Sequence, residues 1–202
     1  MANVNGPFGL RPYSMKSGAP YNGATRTYYV PASNPTALFI GDPVTMVTNS
    51  SDGNGVQTVQ IATAGASGQI LGCMQGITNN AGQRIITLQQ TQTPYLPAGQ
   101  AAYIHVSDDP DLLYLVQEDG AAAGFMVSGA SGRNANMLAG AGNTGNSLSG
   151  WTMQTSSLAV TAAQQLRIIQ LLQQADNAVG QYARWLVKIN QGIHPFDIAL
   201  GV

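Results

Sequence analysis

Residues 101–118 read AAYIHVSDDPDLLYLVQE, and this stretch decides the class of fold. Ala102, Ile104 and Val106 alternate with Tyr103 and His105, the period of two that an extended strand imposes on its two faces. Asp108, Asp109, Pro110 and Asp111 are turn formers, so the stretch predicts a hairpin that turns at 107–111. In the second arm Leu113, Leu115 and Gln117 alternate with Leu112, Tyr114 and Val116. Apolar on both faces, that arm belongs in the middle of a sheet or at a contact between subunits.

Working outward, the same texture recurs. Short β-type runs stand at 26–30, 37–40, 44–47, 56–61, 69–74 and 84–88, divided by turn segments at 31–35, 41–43, 49–55 and 94–99. Many short strands at this spacing predict a mainly β protein, an antiparallel β-sandwich or barrel with long loops and little helix. Residues 161–174 read either way: Leu166, Ile169 and Leu172 fit a helix, whereas Leu166, Ile168, Gln170 and Leu172 fit one face of a strand. In 182–190, Trp185, Val187 and Ile189 alternate with Arg184, Leu186 and Lys188, and two strands joined by a short connection is the preferred reading.

Two segments lack this texture. Residues 1–25 carry Gly6, Pro7, Gly9, Pro12, Gly18, Pro20 and Gly23, which forbid a helix or a long strand, yet Phe8, Leu10, Tyr13, Met15 and Tyr21 recur among them. This predicts an extended N-terminal arm ahead of a β-rich domain at 26–202, holding a neighbour or wrapped over its own domain. Residues 129–150, rich in Gly, Ala, Asn and Ser, predict a long loop.

Composition narrows the partners. Only 8% of residues are charged, with 8 Lys plus Arg against 9 Asp plus Glu and a net charge of -1. Such a chain presents no field to a polyanion, and its scattered cations lack the clustering of a nucleic-acid site. Neither nucleic acid nor a membrane is an expected partner, and no apolar run approaches the ~20 residues of a spanning helix. The start, Met1-Ala2-Asn3-Val4-Asn5-Gly6, has neither the basic nor the apolar region of a secretory signal. Solubility falls to Ser, Thr, Asn, Gln and Gly, a surface suited to packing among many copies or, alternatively, to a secreted bacterial β-protein with a neutral polar coat. The single Cys73 excludes an internal disulfide, fits synthesis in a reducing cytoplasm, and sits in Ile70-Leu71-Gly72-Cys73-Met74 as a small core residue.

Catalytic equipment is not expected. Of the two histidines, His105 lies in an alternating strand and His194 precedes Pro195-Phe196-Asp197, neither in a catalytic signature. The acidic set Asp108, Asp109, Asp111, Glu118 and Asp119 reads as two turns, without the glycine and terminal glutamate of a calcium loop. Gly140-Ala141-Gly142-Asn143-Thr144-Gly145 lacks the Gly-Lys-Ser/Thr of a phosphate loop. No enzyme activity, cofactor or metal is expected.

The opening Asn3-Val4-Asn5-Gly6-Pro7-Phe8-Gly9-Leu10-Arg11-Pro12 resembles the start of a group of tailed-bacteriophage capsid decoration (cement) proteins. Ile40-Gly41-Asp42-Pro43-Val44, Asp108-Asp109-Pro110-Asp111 with Gln117-Glu118-Asp119-Gly120, and Asp176-Asn177 through 183–190 are similar to that group in order and kind. The resemblance implies a β-rich virion protein on the outer capsid surface, clamping neighbouring major capsid protein subunits and associating with itself as a dimer or trimer. It carries no catalytic residues across, and it favours strand at 166–172. The arm is the expected contact element, through Phe8, Leu10, Arg11 and Tyr13. A tail-associated or adhesive module that recognises a host-surface glycan is the alternative.

Overall fold

The structure, a computed structural model, describes residues 3–78, 94–121 and 126–198. Its strands are β1 (Arg11–Met15), β2 (Arg26–Val30), β3 (Pro43–Ser51), β4 (Gln57–Ile61), β5 (Gly72–Thr78), β6 (Ala102–Ser107), β7 (Leu112–Gln117), β8 (Asn134–Leu138), β9 (Thr152–Ala159), β10 (Leu166–Leu171) and β11 (Arg184–Ile189). A 3₁₀ turn, Ser128–Ala130, is the only helical element among the described residues. The strands form a closed barrel, β2-β4-β3-β5-β6, and a six-stranded sheet, β1-β7-β11-β10-β8-β9. Every ladder is antiparallel except the short contact of β2 with β4. The mainly β expectation therefore holds, with a barrel and an open sheet in one chain. The run at 37–40 forms only the isolated bridges Leu38↔Leu96 and Ile40↔Leu148, and the strand expected at 84–88 lies outside the described residues.

Side-chain alternation divides the apolar residues among three cores. Ala102, Ile104 and Val106 of β6 point into the barrel with Tyr28, Val30, Val44, Val59 and Met74. On β5, Cys73 faces the other way and joins Ile70 and Ala62 against Tyr114, Val116, Ile168, Trp185 and Val187 of the open sheet, which joins the two units. The outer face of the sheet carries a smaller cluster of Leu113, Leu115, Leu172, Leu186 and Phe8. All six residues of β7 are buried, as its two apolar faces require.

The structure decides four expectations. β6 and β7 are not a hairpin: β6 pairs with β2 and β5, β7 with β1 and β11, and 108–111 crosses between sheets. The crossover is pinned by buried Asp108, which accepts the Tyr28 hydroxyl at 2.6 Å and pairs with Arg26 at 3.5 Å. The Tyr114 hydroxyl also donates to the Ser107 carbonyl at 2.8 Å. Of the two readings of the N-terminal segment, the one seen is an arm laid on its own domain, where β1 pairs with β7 (Arg11↔Leu115, Met15↔Leu112) and forms one edge of the sheet. Residues 129–150 are not one long loop: β8 lies within them with four of its five residues buried. Gly140, Gly142 and Gly150 serve close contact, since a Cβ on Gly140 would lie 2.0 Å from the Gly150 carbonyl oxygen.

The fourth concerns 161–174, where β10 settles the choice for strand but not the expected face. A bulge between Ile168 and Gln170 shifts the register, so Ile168 opposes Val187 and Gln170 opposes Leu186. Leu166 and Ile168 therefore face the main core, while Leu172 joins the outer cluster.

Candidate functional site

Two of the motifs that carry the resemblance, 3–12 and 40–44, meet at one junction inside the molecule. The Leu10 N–H donates to the Gly41 carbonyl at 2.9 Å, Gly9 N–H to Trp151 O at 3.2 Å, and Ser149 N–H to Ile40 O at 2.9 Å. The backbones of Gly9 and Gly41 touch: a Cβ on Gly9 would lie 2.2 Å from Gly41 O, and both residues have positive φ, 68° and 92°. Asp42 closes its turn by accepting the Phe39 N–H at 2.8 Å. Farther along, Asn177 donates to the carbonyls of Leu172 (2.8 Å) and Arg184 (2.9 Å) and accepts the Arg184 N–H (2.9 Å). These residues are framework.

The four residues expected to contact a capsid separate into two pairs. Phe8, only 8% exposed, lies in the outer-face cluster and Leu10 is fully buried, so both serve their own domain. Arg11 is exposed with its guanidinium 4.7 Å above the Phe8 ring, and Tyr13 is 46% exposed on edge strand β1. The segment before Phe8 straps to the same domain. Asn3 exchanges hydrogen bonds with Ala178 and donates to Gln181 O, Gly6 N–H donates to Gln117 Oε1, and Gln117 donates to Val4 O. Tying the strap down leaves Val4 81% exposed and the neighbouring segment's Val179 41% exposed. Apolar periodicity does not single these two out, because neither lies in a strand.

The ionisable groups are dispersed. His194 is fully buried, accepts the Phe196 N–H through Nδ1, and is pushed below its ordinary pKa by burial, hence neutral. Burial raises the Cys73 thiol to about 12, against the hydrogen bonds from Ser107 and Gln75. It raises Asp42 to about 6 and Glu118 to about 7, against the Ser149 hydroxyl and Phe39 N–H at the first and the Met126 N–H at the second. Among the described residues no three His, Cys, Asp or Glu side chains lie together as metal ligands. No described helix is long and apolar enough to cross a membrane.

One cleft opens on the outer wall of the barrel, about 400 Å³ in volume and lined by Thr27, Asp52, Asn54, Val56, Thr78, Tyr103 and His105. The Asp52 carboxylate is held from three directions: Oδ2 accepts the Tyr103 hydroxyl at 2.7 Å, and Oδ1 accepts the N–H groups of Asn54 (2.7 Å) and Val56 (3.0 Å). Tyr103 also packs on Tyr29, ring centroids 5.5 Å apart, and His105 Nε2 is hydrogen-bonded to Thr78 Oγ1. Set against protein-family models, curated proteins and solved structures, the chain gives no match.

Proposed function

We propose that this is a structural virion protein that binds the outer surface of a tailed-phage capsid and strengthens contacts between major capsid protein subunits. The observation that carries the reading is how completely the described cations are occupied within the molecule. Lys16, Arg26, Arg184 and Lys188 pair with Asp111, Asp108, Asp176 and Asp197. Arg133 and Arg167 donate to Leu158 O and Asn134 Oδ1, and Arg11 covers Phe8. What remains outside is largely polar, with acidic groups such as Asp52 and Asp109 and isolated apolar points such as Val4, Tyr13 and Val179. With no free cation among the described residues, such a surface binds more by shape and desolvation than by long-range attraction.

Both sheet edges are also protected against strand addition, β1 by Pro12 and a bulge and β9 by its bridge to Glu118 at Met153, whose carbonyl accepts the Asp119 N–H. Association with the capsid, and with its own copies as a dimer or trimer, therefore runs through faces and loops. Buried area added across many subunit boundaries multiplies over a lattice. The test is the temperature at which undecorated heads rupture. Saturating protein raises it under this proposal, and an unchanged rupture temperature at full occupancy rules the clamp out.

A further inference from the structure

The geometry points to the cleft on the barrel wall as a binding site for a neutral saccharide. This inference does not rest on the capsid role, since the cleft lies on β2, β5, β6 and the turn before β4 rather than on the strap or β1. Its volume of about 400 Å³ falls in the range of small-molecule sites. Its chemistry is that of a sugar's complement. The ring of Tyr103 and the side chain of Val56 offer apolar surface to the C–H face, and Asp52, Asn54, Thr27 and Thr78 surround it with acceptors and donors for hydroxyl groups.

The polar groups are also pre-set. Asp52 is fixed by three hydrogen bonds and Tyr103 by its bond to Asp52 and its packing on Tyr29, so a ligand does not have to order them on arrival. The Tyr103 hydroxyl holds the Asp52 carboxyl below the usual carboxylate range, so Asp52 presents an ionised carboxylate at neutral pH. An ionised carboxylate attracts hydroxyl donors and repels acidic sugars, which selects neutral over sialylated ligands.

Saturation-transfer-difference NMR on the full chain tests this with neutral hexoses and N-acetylhexosamines, N-acetylneuraminic acid as the acidic arm, and glycerol as a simple polyol. At least one neutral sugar is expected to give saturable transfer, with none to the acidic sugar or glycerol. Thr27→Arg, a change on an exposed strand position that places a side chain able to pair with Asp52 across the cleft, should weaken that binding at least about tenfold without changing the melting temperature. Tyr103→Phe, which keeps the ring and frees Asp52, should weaken it less. No transfer to any neutral sugar, preference for the acidic sugar, or transfer unaffected by Thr27→Arg would each overturn the assignment. Capsid binding is read separately and is unaffected by either substitution.

Discussion

At the scale of single residues, burial of two carboxyl groups ties stability to pH. Asp42 and Glu118 hold their protons up to about 6 and about 7 in the folded protein, against ordinary values of 3.8 and 4.5. Between the ordinary and folded values the native state binds more protons than the unfolded chain, so stability falls as pH rises through about 4 to about 7 and stays reduced above that. His194 acts oppositely, because a buried neutral imidazole favours unfolding as pH drops below its ordinary 6.5. Glu118→Gln should therefore stabilise the protein at pH ~8 by on the order of 1–3 kcal/mol and by much less at pH ~5. Urea melts at both pH values check this, and equal effects would contradict it.

Glycine chemistry acts at the same scale. Gly9→Ala or Gly41→Ala meets both a left-handed backbone and a clashing carbonyl, and should cost roughly 2–4 kcal/mol. Gly18→Ala, equally left-handed (φ 90°) but facing open space, should cost only about 1 kcal/mol. Thermal melts of the three variants separate backbone strain from close contact.

At the scale of elements, alternation revealed which face each strand buries but not which strand lies beside it. Residues 102–106 and 184–189 were legible because their inward positions carry Ile, Val and Trp. That β6 and β7 part into different sheets was not, because an Asp-Asp-Pro-Asp turn reads alike whether its strands pair or diverge. Here the decision lies in a tertiary contact, Tyr28 to Asp108, across 80 positions of sequence. Tyr28→Phe should cost about 1–3 kcal/mol by taking a hydrogen bond from a buried carboxylate, measurable by chemical denaturation.

β8 was hidden for a different reason: two of its buried positions are asparagines. Asn134 donates to Thr161 O and accepts from Arg167, and Asn136 accepts the Gln165 N–H. Hydrogen bonding makes these polar residues internal, and no hydrophobic pattern reports it. The bulge that turns Leu172 to the outer face was equally silent. In the candidate sites, Phe8 and Leu10 were recognisable as anchors, but whether an anchor grips its own domain or a neighbour is not encoded in apolarity. The barrel cleft was illegible because Asp52 and Tyr103, which the structure brings to 2.7 Å, stand 51 residues apart.

For the whole molecule, the N-terminal strap has two consequences. Deleting residues 1–25 removes β1, Phe8 and Leu10 together, so the truncated chain should lose several kcal/mol of stability instead of leaving an intact domain. Contact with a capsid is better probed by Tyr13→Asp combined with Val4→Asp, both at exposed positions, which should weaken head binding while leaving the melting temperature within a few degrees.

The capsid proposal itself rests on a surface whose described cations are occupied at home, and its direct measurement is co-sedimentation of the purified protein with emptied, undecorated phage heads at about 0.05 and about 0.5 M salt. The account predicts saturable binding at a fixed number of copies per capsid subunit, nearly unchanged between the two salt concentrations. No sedimentation with the heads, or binding that collapses at the higher salt, would contradict it.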